Sequence, residues 1–267
     1  MAGDSSKRAI VESVLRATRL LECFHPGEPQ LSLAELVRRG GYSKTTTYRL
    51  LSTLELAGWL ERASDGAFRL TFRPFQIGSI LVDSLDLRQV ALPVMRRLSA
   101  DCGVTVYLTV AAGSDAVCIE RVDRGKGVRV MNLQVGGTQP LHLGAAPRAL
   151  LAFREQELLP ALLRAGLELR TDRTLATADA LVADLAEIRR RGYSISDGDV
   201  TPGVAALGAP VFDVRGRPIA AVSIGGLSDQ IIGPHAVQVD ALLRASAEIS
   251  GKLGAPPSPS RTDDQVV

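Results

Sequence analysis

Residues 32–70 read SLAELVRRGGYSKTTTYRLLSTLELAGWLERASDGAFRL, and the order of features in this stretch decides the fold of the N-terminal part. Ser32 stands three residues before Glu35, the spacing of a capping box, and Leu33, Leu36 and Val37 make one apolar stripe. Arg38 and Arg39 close that helix with charges suited to its C-terminal dipole. Gly40-Gly41 supplies the permissive backbone of a tight helix-to-helix turn. Ser43 caps a second helix, expected over 43–57, whose core face carries Thr47, Leu50, Leu51 and Leu54. Beyond Gly58, residues 59–62, the turn Ser64-Asp65-Gly66 and residues 67–70 read as a two-stranded wing. The sum is a winged helix-turn-helix.

The outward face of the second helix holds Thr45, Tyr48, Arg49 and Ser52, flanked by Lys44 and Thr46. No acid occurs between Glu35 and Glu55, whereas Arg38, Arg39, Lys44 and Arg49 all fall there. A solvated helix face normally carries Glu and Lys. Hydroxyls and basic groups at a helix N-terminus suit phosphate, and an arginine a turn further in suits a guanine edge. The expected partner is double-stranded operator DNA, contacted by Ser32, Ser43, Lys44, Thr45, Thr46, Tyr48, Arg49 and Arg62, with Arg62 and Arg69 of the wing placed for backbone phosphates. Ser43-Lys44-Thr45 also looks like the end of a phosphate loop. Ser43 and Arg38 stand where that loop needs glycines, so nucleotide hydrolysis is excluded.

At 267 residues the chain has room for two domains, and its 46% hydrophobic content suits packed cores rather than disorder. A formal charge of +2 says little; the local concentration of basic groups says more. No apolar run reaches the ~18 residues of a membrane helix and the start lacks an apolar signal core, so a cytoplasmic protein without a membrane partner is expected. Cys23, Cys102 and Cys118 have no metal or disulfide spacing, and His25, His142 and His235 are scattered. No metal site, cofactor or catalytic elbow is expected.

Ile10, Val11, Val14, Leu15, Leu20, Leu21 and Phe24 recur with helical period, so a first helix, ended by Pro26-Gly27, is expected to pack on the helix-turn-helix. After the wing, Pro74 opens a helix whose stripe (Ile77, Ile80, Leu81, Leu85, Leu87, Val90) is wider than one small neighbour needs. It reads as a linker helix over 73–90 that packs on a partner subunit. From residue 91 the pattern turns α+β. A helix carries Leu92, Met95 and Leu98, and strands are expected at 105–111, 116–121, 128–133, 204–212 and 218–224. Helices are expected at 146–153, 178–191 and 235–253. An antiparallel sheet with helices packed on it follows. The expected divisions are 1–72, 73–90, 91–253 and a disordered tail over 254–267.

The chain closely resembles the IclR-type bacterial transcriptional regulators over nearly its full length. Residues 43–51 look like that family's recognition helix. Residues 140–152, PLHLGAAPRALLA, look like its loop and helix at the ligand pocket. Arg191-Gly192-Tyr193-Ser194 through Gly203-Val204, with 209–213 and 220–224, look like its C-terminal signature. The resemblance implies a GAF-like effector domain, a homodimer or a dimer of dimers, and a small organic effector over the sheet. Carried over position by position, the effector residues are Leu143, Gly144, Ala145, Ala146, Ser196, Asp197, Ala206, Ser223 and Gly225.

The chain departs from oxo-acid-binding members at several of these positions. Ser196 replaces an Asp, Ala206 a Cys and Gly225 a Ser, while Pro147-Arg148 replaces Gly-Lys. The expectation is a roomier, more apolar cavity for an aromatic or aliphatic acid or a neutral ring compound. A carboxylate would be seated on exposed amides of residues 144–146. An enzymatic reading would assemble Asp197, Asp199 and His142 into an acid–base set, but no nucleophile has an activating context. An architectural DNA binder with a silent sensor domain is the other alternative.

Overall fold

The computed structural model describes residues 10–25, 27–83, 86–123, 133–233 and 235–256. The chain divides into two compact units, 1–84 and 85–267.

The first unit runs α1 (Glu12–Leu21), β1 (Gln30–Leu31), α2 (Leu33–Gly40), α3 (Lys44–Leu56), β2 (Leu60–Arg62), β3 (Phe68–Leu70) and α4 (Arg73–Asp83). The capping box at α2 is complete: the Ser32 hydroxyl accepts from the Glu35 N–H, and the Glu35 carboxylate accepts from the Ser32 N–H at 2.9 Å. Gly41 takes φ +71 and ends α2 by donating its N–H to the Val37 carbonyl, which only a residue free of a Cβ does without strain. The wing has a third strand. β1 pairs antiparallel with β3, which pairs with β2, so Leu31, Leu60 and Phe68 reach one core with Leu20, Leu36, Leu51 and Leu54.

The first helix packs on the helix-turn-helix through Ala17, Leu20 and Leu21, as expected, but it is shorter than the sequence reading. It stops at Leu21, before Pro26, and only Leu20 of its apolar set is buried. Ile10, Val11, Val14 and Leu15 are exposed, as are Phe72 and Phe75 around the start of α4. Of the stretch read as a linker helix over 73–90, residues 73–83 are helical in α4 and residues 86–90 in the start of α5 (Asp86–Cys102), and residues 84–85 lie outside the described set.

The second unit continues with β4 (Thr105–Ala112), β5 (Asp115–Val122), β6 (Thr138–Pro140), α6 (Ala145–Phe153), α7 (Glu155–Ala165), α8 (Ala178–Arg191), β7 (Ser194–Asp197), β8 (Val204–Phe212), β9 (Pro218–Leu227), α9 (Ser228–Ile231) and α10 (His235–Lys252). Its sheet is antiparallel in the order β6-β5-β4-β9-β8-β7. One face packs on α5 and α10 through Val106, Leu108, Leu207, Ala209, Val222 and Ile224. The other, carrying Ala116 and Ala221, packs on α6 and α8. The strand expected at 128–133 falls almost entirely outside the described residues, as does the tail beyond 256. The sequence reading omitted β1, β6, β7, α7 and α9: the strands and α9 have four residues or fewer, too few to show a period, and Pro160 interrupts α7.

Candidate nucleic-acid interface and effector site

In the first unit the expected DNA-facing residues separate into two groups. Ser32, Ser43, Thr46 and Arg62 work inside the protein. Ser32 caps α2, and Ser43 caps α3 by accepting from the Thr46 N–H at 3.2 Å while its own hydroxyl donates to Thr46 Oγ1 at 2.9 Å. Arg62 donates to Glu55 at 3.1 Å, and its guanidinium lies over the rings of Phe68 and Tyr48, at 4.7 and 5.4 Å. Arg69 is likewise held by Glu61 at 2.6 Å. The wing arginines are thus each paired with an acid, Arg62 with Glu55 of α3 and Arg69 with Glu61 across the hairpin, in ion pairs that stay partly exposed. Lys44, Thr45 and Arg49 are exposed and carry no side-chain bond among the described residues, and Tyr48 presents half its surface. The exposed Arg38, in the last turn of α2, belongs with them by the same criterion.

The effector residues are assembled by strand register. Ser196 pairs with Ala206, Ala206 with Gly225, and Gly225 with Thr105, forming a row of four small residues across β7, β8, β9 and β4. The next row on the same face is Ser194, Gly208, Ser223, Tyr107 and Arg121. Helix α6 rests on this second row. A Cβ on Gly208 would lie 2.7 Å from the Ala145 carbonyl carbon, and the Ser194 hydroxyl donates to the Ala145 carbonyl at 2.6 Å. The far end of α6 places Phe153 edge-on to Phe212 at 5.6 Å. The helix therefore runs along β8 from Gly208 towards Phe212, away from the row of small residues.

That N-terminus is unusual. Gly144 at the cap position offers no side chain, and Pro147 has no N–H. The amides of Ala145 and Ala146 are buried and have no hydrogen-bond partner among the described residues. A buried helix end without partners calls for an acceptor from outside the chain. The residues that carry these amides are buried, together with Leu143. Thr109 Oγ1, in the third row, and Nδ1 of His142, in the loop before α6, are likewise buried without partners among the described residues. His142 Nε2 is used, at 3.0 Å from the Glu168 carbonyl. Burial pushes the Tyr107 phenol up to about 12 and the Cys118 thiol up to about 11, so both stay protonated near neutrality.

Beside the expected small and apolar residues, the β7 side carries charged groups. Arg148 is buried, donating to Asp184 at 2.6 Å, the Ile195 carbonyl at 2.6 Å, Asp199 at 3.0 Å and the Gly144 carbonyl at 3.2 Å. Asp199 also accepts from the Ser196 hydroxyl. A carboxylate is thus present beside Ser196, brought from three residues further along. Asp197 points elsewhere, accepting from Ser228 at 2.8 Å and Arg173 at 3.1 Å. Sequence reasoning missed Thr109, Arg148 and Asp199 as parts of this site. For Thr109 the signal was the period-two run Thr105, Tyr107, Thr109; for the Arg148–Asp199 pair, 51 residues apart, no local signal exists.

Two family models match the chain: the IclR helix-turn-helix domain over residues 13–64, and the bacterial transcriptional regulator IclR C-terminal over residues 80–250. The transcriptional repressor IclR of Escherichia coli (strain K12) is 32% identical over 249 residues, covering 91% of this chain and 90% of that protein. The structure of an IclR transcriptional regulator from Alicyclobacillus acidocaldarius matches with a TM-score of 0.78 and 28% identity, over 92% of this chain and 100% of that one. An IclR homologue from Microbacterium hydrocarbonoxydans, crystallised with 4-hydroxybenzoate, matches with a TM-score of 0.77 and 27% identity, over 90% and 98% of the two chains.

Proposed function

The chain belongs to the IclR family of bacterial transcriptional regulators, and we propose that it binds its operator as a homodimer whose DNA affinity is set by a small organic acid or neutral ring compound. The first unit holds the DNA-binding domain and the second the effector-binding domain; the protein is a regulator, not an enzyme. The observation that carries the effector assignment is the buried, unpartnered N-terminus of α6 over the strand row next to the small residues. In this reading Leu143, Gly144, Ala145, Ala146, Ser196, Ala206, Ser223 and Gly225 line the effector cavity, while Asp197, bonded to Ser228 and Arg173, stays outside it.

Lys44, Thr45, Tyr48 and Arg49 enter the major groove, supported by the caps at Ser32 and Ser43, the Thr46 hydroxyl and the Arg62 stack on Tyr48. Exposed apolar side chains on α1 (Val14, Leu15) and α4 (Phe75, Ile77) provide the surface on which a second copy packs. Two recognition helices then address half-sites about 34 Å apart, or a multiple of that. Residues 73–90 serve as the linker through which effector occupancy biases the two heads, and by linkage operator DNA changes effector affinity by the same factor.

The test is an operator titration followed by fluorescence anisotropy, with and without a saturating ligand found in a thermal-shift screen of aromatic and aliphatic acids. A change of about 5- to 150-fold in operator affinity is expected. A ligand shown by calorimetry to bind, yet leaving operator affinity unchanged, refutes the coupling.

A further inference from the structure

We propose that the effector of this protein carries a hydrogen-bond donor, a hydroxyl or N–H, at the end remote from its anionic or carbonyl group, and that Ser196 reads it. The inference rests on the effector cavity assigned above and names the chemistry it accepts.

The Ser196 hydroxyl has one proton, which is given to Asp199 Oδ1. Asp199 cannot turn away to release it. Its other oxygen is held by Arg148 Nη2 at 3.0 Å, and its backbone carbonyl accepts from the Thr174 hydroxyl at 2.6 Å. Arg148 is itself fixed by Asp184 and by two backbone carbonyls. The hydroxyl rotor of Ser196 is therefore set from behind, and what it offers the cavity is lone pairs. A ligand carboxylate, ether or carbonyl placed there would meet lone pairs backed by a carboxylate. A ligand hydroxyl or N–H would complete the chain of donors from ligand to Ser196 to Asp199.

The opposite end of the cavity has the opposite polarity. The Ala145 and Ala146 amides are donors without acceptors, and they lie over the second row of the sheet, next to Ser194 and Gly208. Ser196 is two residues further along β7 than Ser194, so the two ends are roughly 7 Å apart. Between them Ala206 and Gly225 present no polar side chain. A flat or extended molecule with an acceptor at one end and a donor at the other matches this order; a short oxo-acid, with acceptors at both ends, does not.

The experiment is calorimetry of the full-length chain with 4-hydroxybenzoate, 4-methoxybenzoate and benzoate, repeated on Ser196→Ala. An unmatched buried polar group disfavours binding by about tenfold or more, so 4-hydroxybenzoate is expected to bind at least that much tighter than the other two. In Ser196→Ala the three should fall within about threefold of one another, through weaker binding of the hydroxy acid alone. A methoxy compound binding as tightly as the hydroxy compound overturns the proposal, as does a preference that survives Ser196→Ala. Binding by none of the three also overturns it. Operator binding by the same preparation, with acids lacking a distal donor added, is measured in parallel. If those acids shift operator affinity, the regulator reading stands without the donor rule; if the protein does not bind operator, the regulator reading itself has failed.

Discussion

Gly208→Ala is the most direct probe of how α6 sits on the sheet. The new Cβ would stand 2.7 Å from the Ala145 carbonyl carbon, 2.8 Å from its oxygen and 2.8 Å from the Ala146 nitrogen. All three are backbone atoms, so no side chain can swing aside. Reaching ordinary contact requires the helix N-terminus to lift by roughly 0.6 Å, and such overpacking costs about 1–3 kcal/mol. The same movement stretches the Ser194 bond to the Ala145 carbonyl. Against this stands the usual gain of about 0.4–1 kcal/mol when a glycine of ordinary backbone conformation becomes alanine. The net expectation is a loss of about 1–2 kcal/mol, opposite in sign to a glycine with free space. With a urea m-value of about 2 kcal/mol/M, the far-UV ellipticity midpoint should fall by about 0.5–1 M. Trp59, the only tryptophan in the chain, lies in the first unit and reports separately on it by fluorescence. An ellipticity midpoint equal to or above that of the parent would show that α6 does not approach β8 as described.

Arg148→Met leaves Asp184 and Asp199 without their guanidinium and should destabilise by about 3–5 kcal/mol; recovery of most of that loss in Arg148→Met combined with Asp199→Asn is the check. Arg49→Ala should weaken operator binding by about 1–3 kcal/mol and relax specificity at one base pair, whereas Lys44→Ala should weaken all sequences alike and lower the salt slope by about one, both read by anisotropy on operator and random duplexes. Equal losses on the two duplexes for Arg49→Ala would place it on phosphate instead. Burial holds the Tyr107 phenol near 12 in the folded protein, above its ordinary value of about 10. The unfolded chain therefore ionises first, and stability should be constant with respect to this group below pH 10 and fall by about 1.4 kcal/mol per unit between pH 10 and 12. Urea midpoints across that range should flatten in Tyr107→Phe, and an unchanged slope would count against the assignment.

The recognition unit was legible in the sequence because its determinants are local. A capping box spans four residues, the Gly40-Gly41 turn is contiguous, and the basic and hydroxyl-bearing first turns of α3, free of acids before Glu55, show at helical period. The limits of that reading are equally local in cause. Apolar period in 10–24 reports amphipathicity but not what covers the face, and Ile10, Val11, Val14 and Leu15 stayed exposed. Charge in the wing reports Arg62 and Arg69 but not that Glu55 and Glu61 hold them.

By itself, then, the sequence determined two units, a helix-turn-helix with a winged hairpin, an antiparallel sheet flanked by helices, and a set of small residues around an effector loop. Only the tertiary structure decided which of those residues share a row, since strand register joins Ser196 to Ala206, 10 residues on, and to Gly225, 29 residues on. It also decided that Asp199 reaches back to Ser196 and that Arg148 spans from α6 to β7. The physical reason is that capping and periodicity act within a few residues along the chain. Burial of charge, close packing and the direction of a hydroxyl proton depend on partners that only folding brings together.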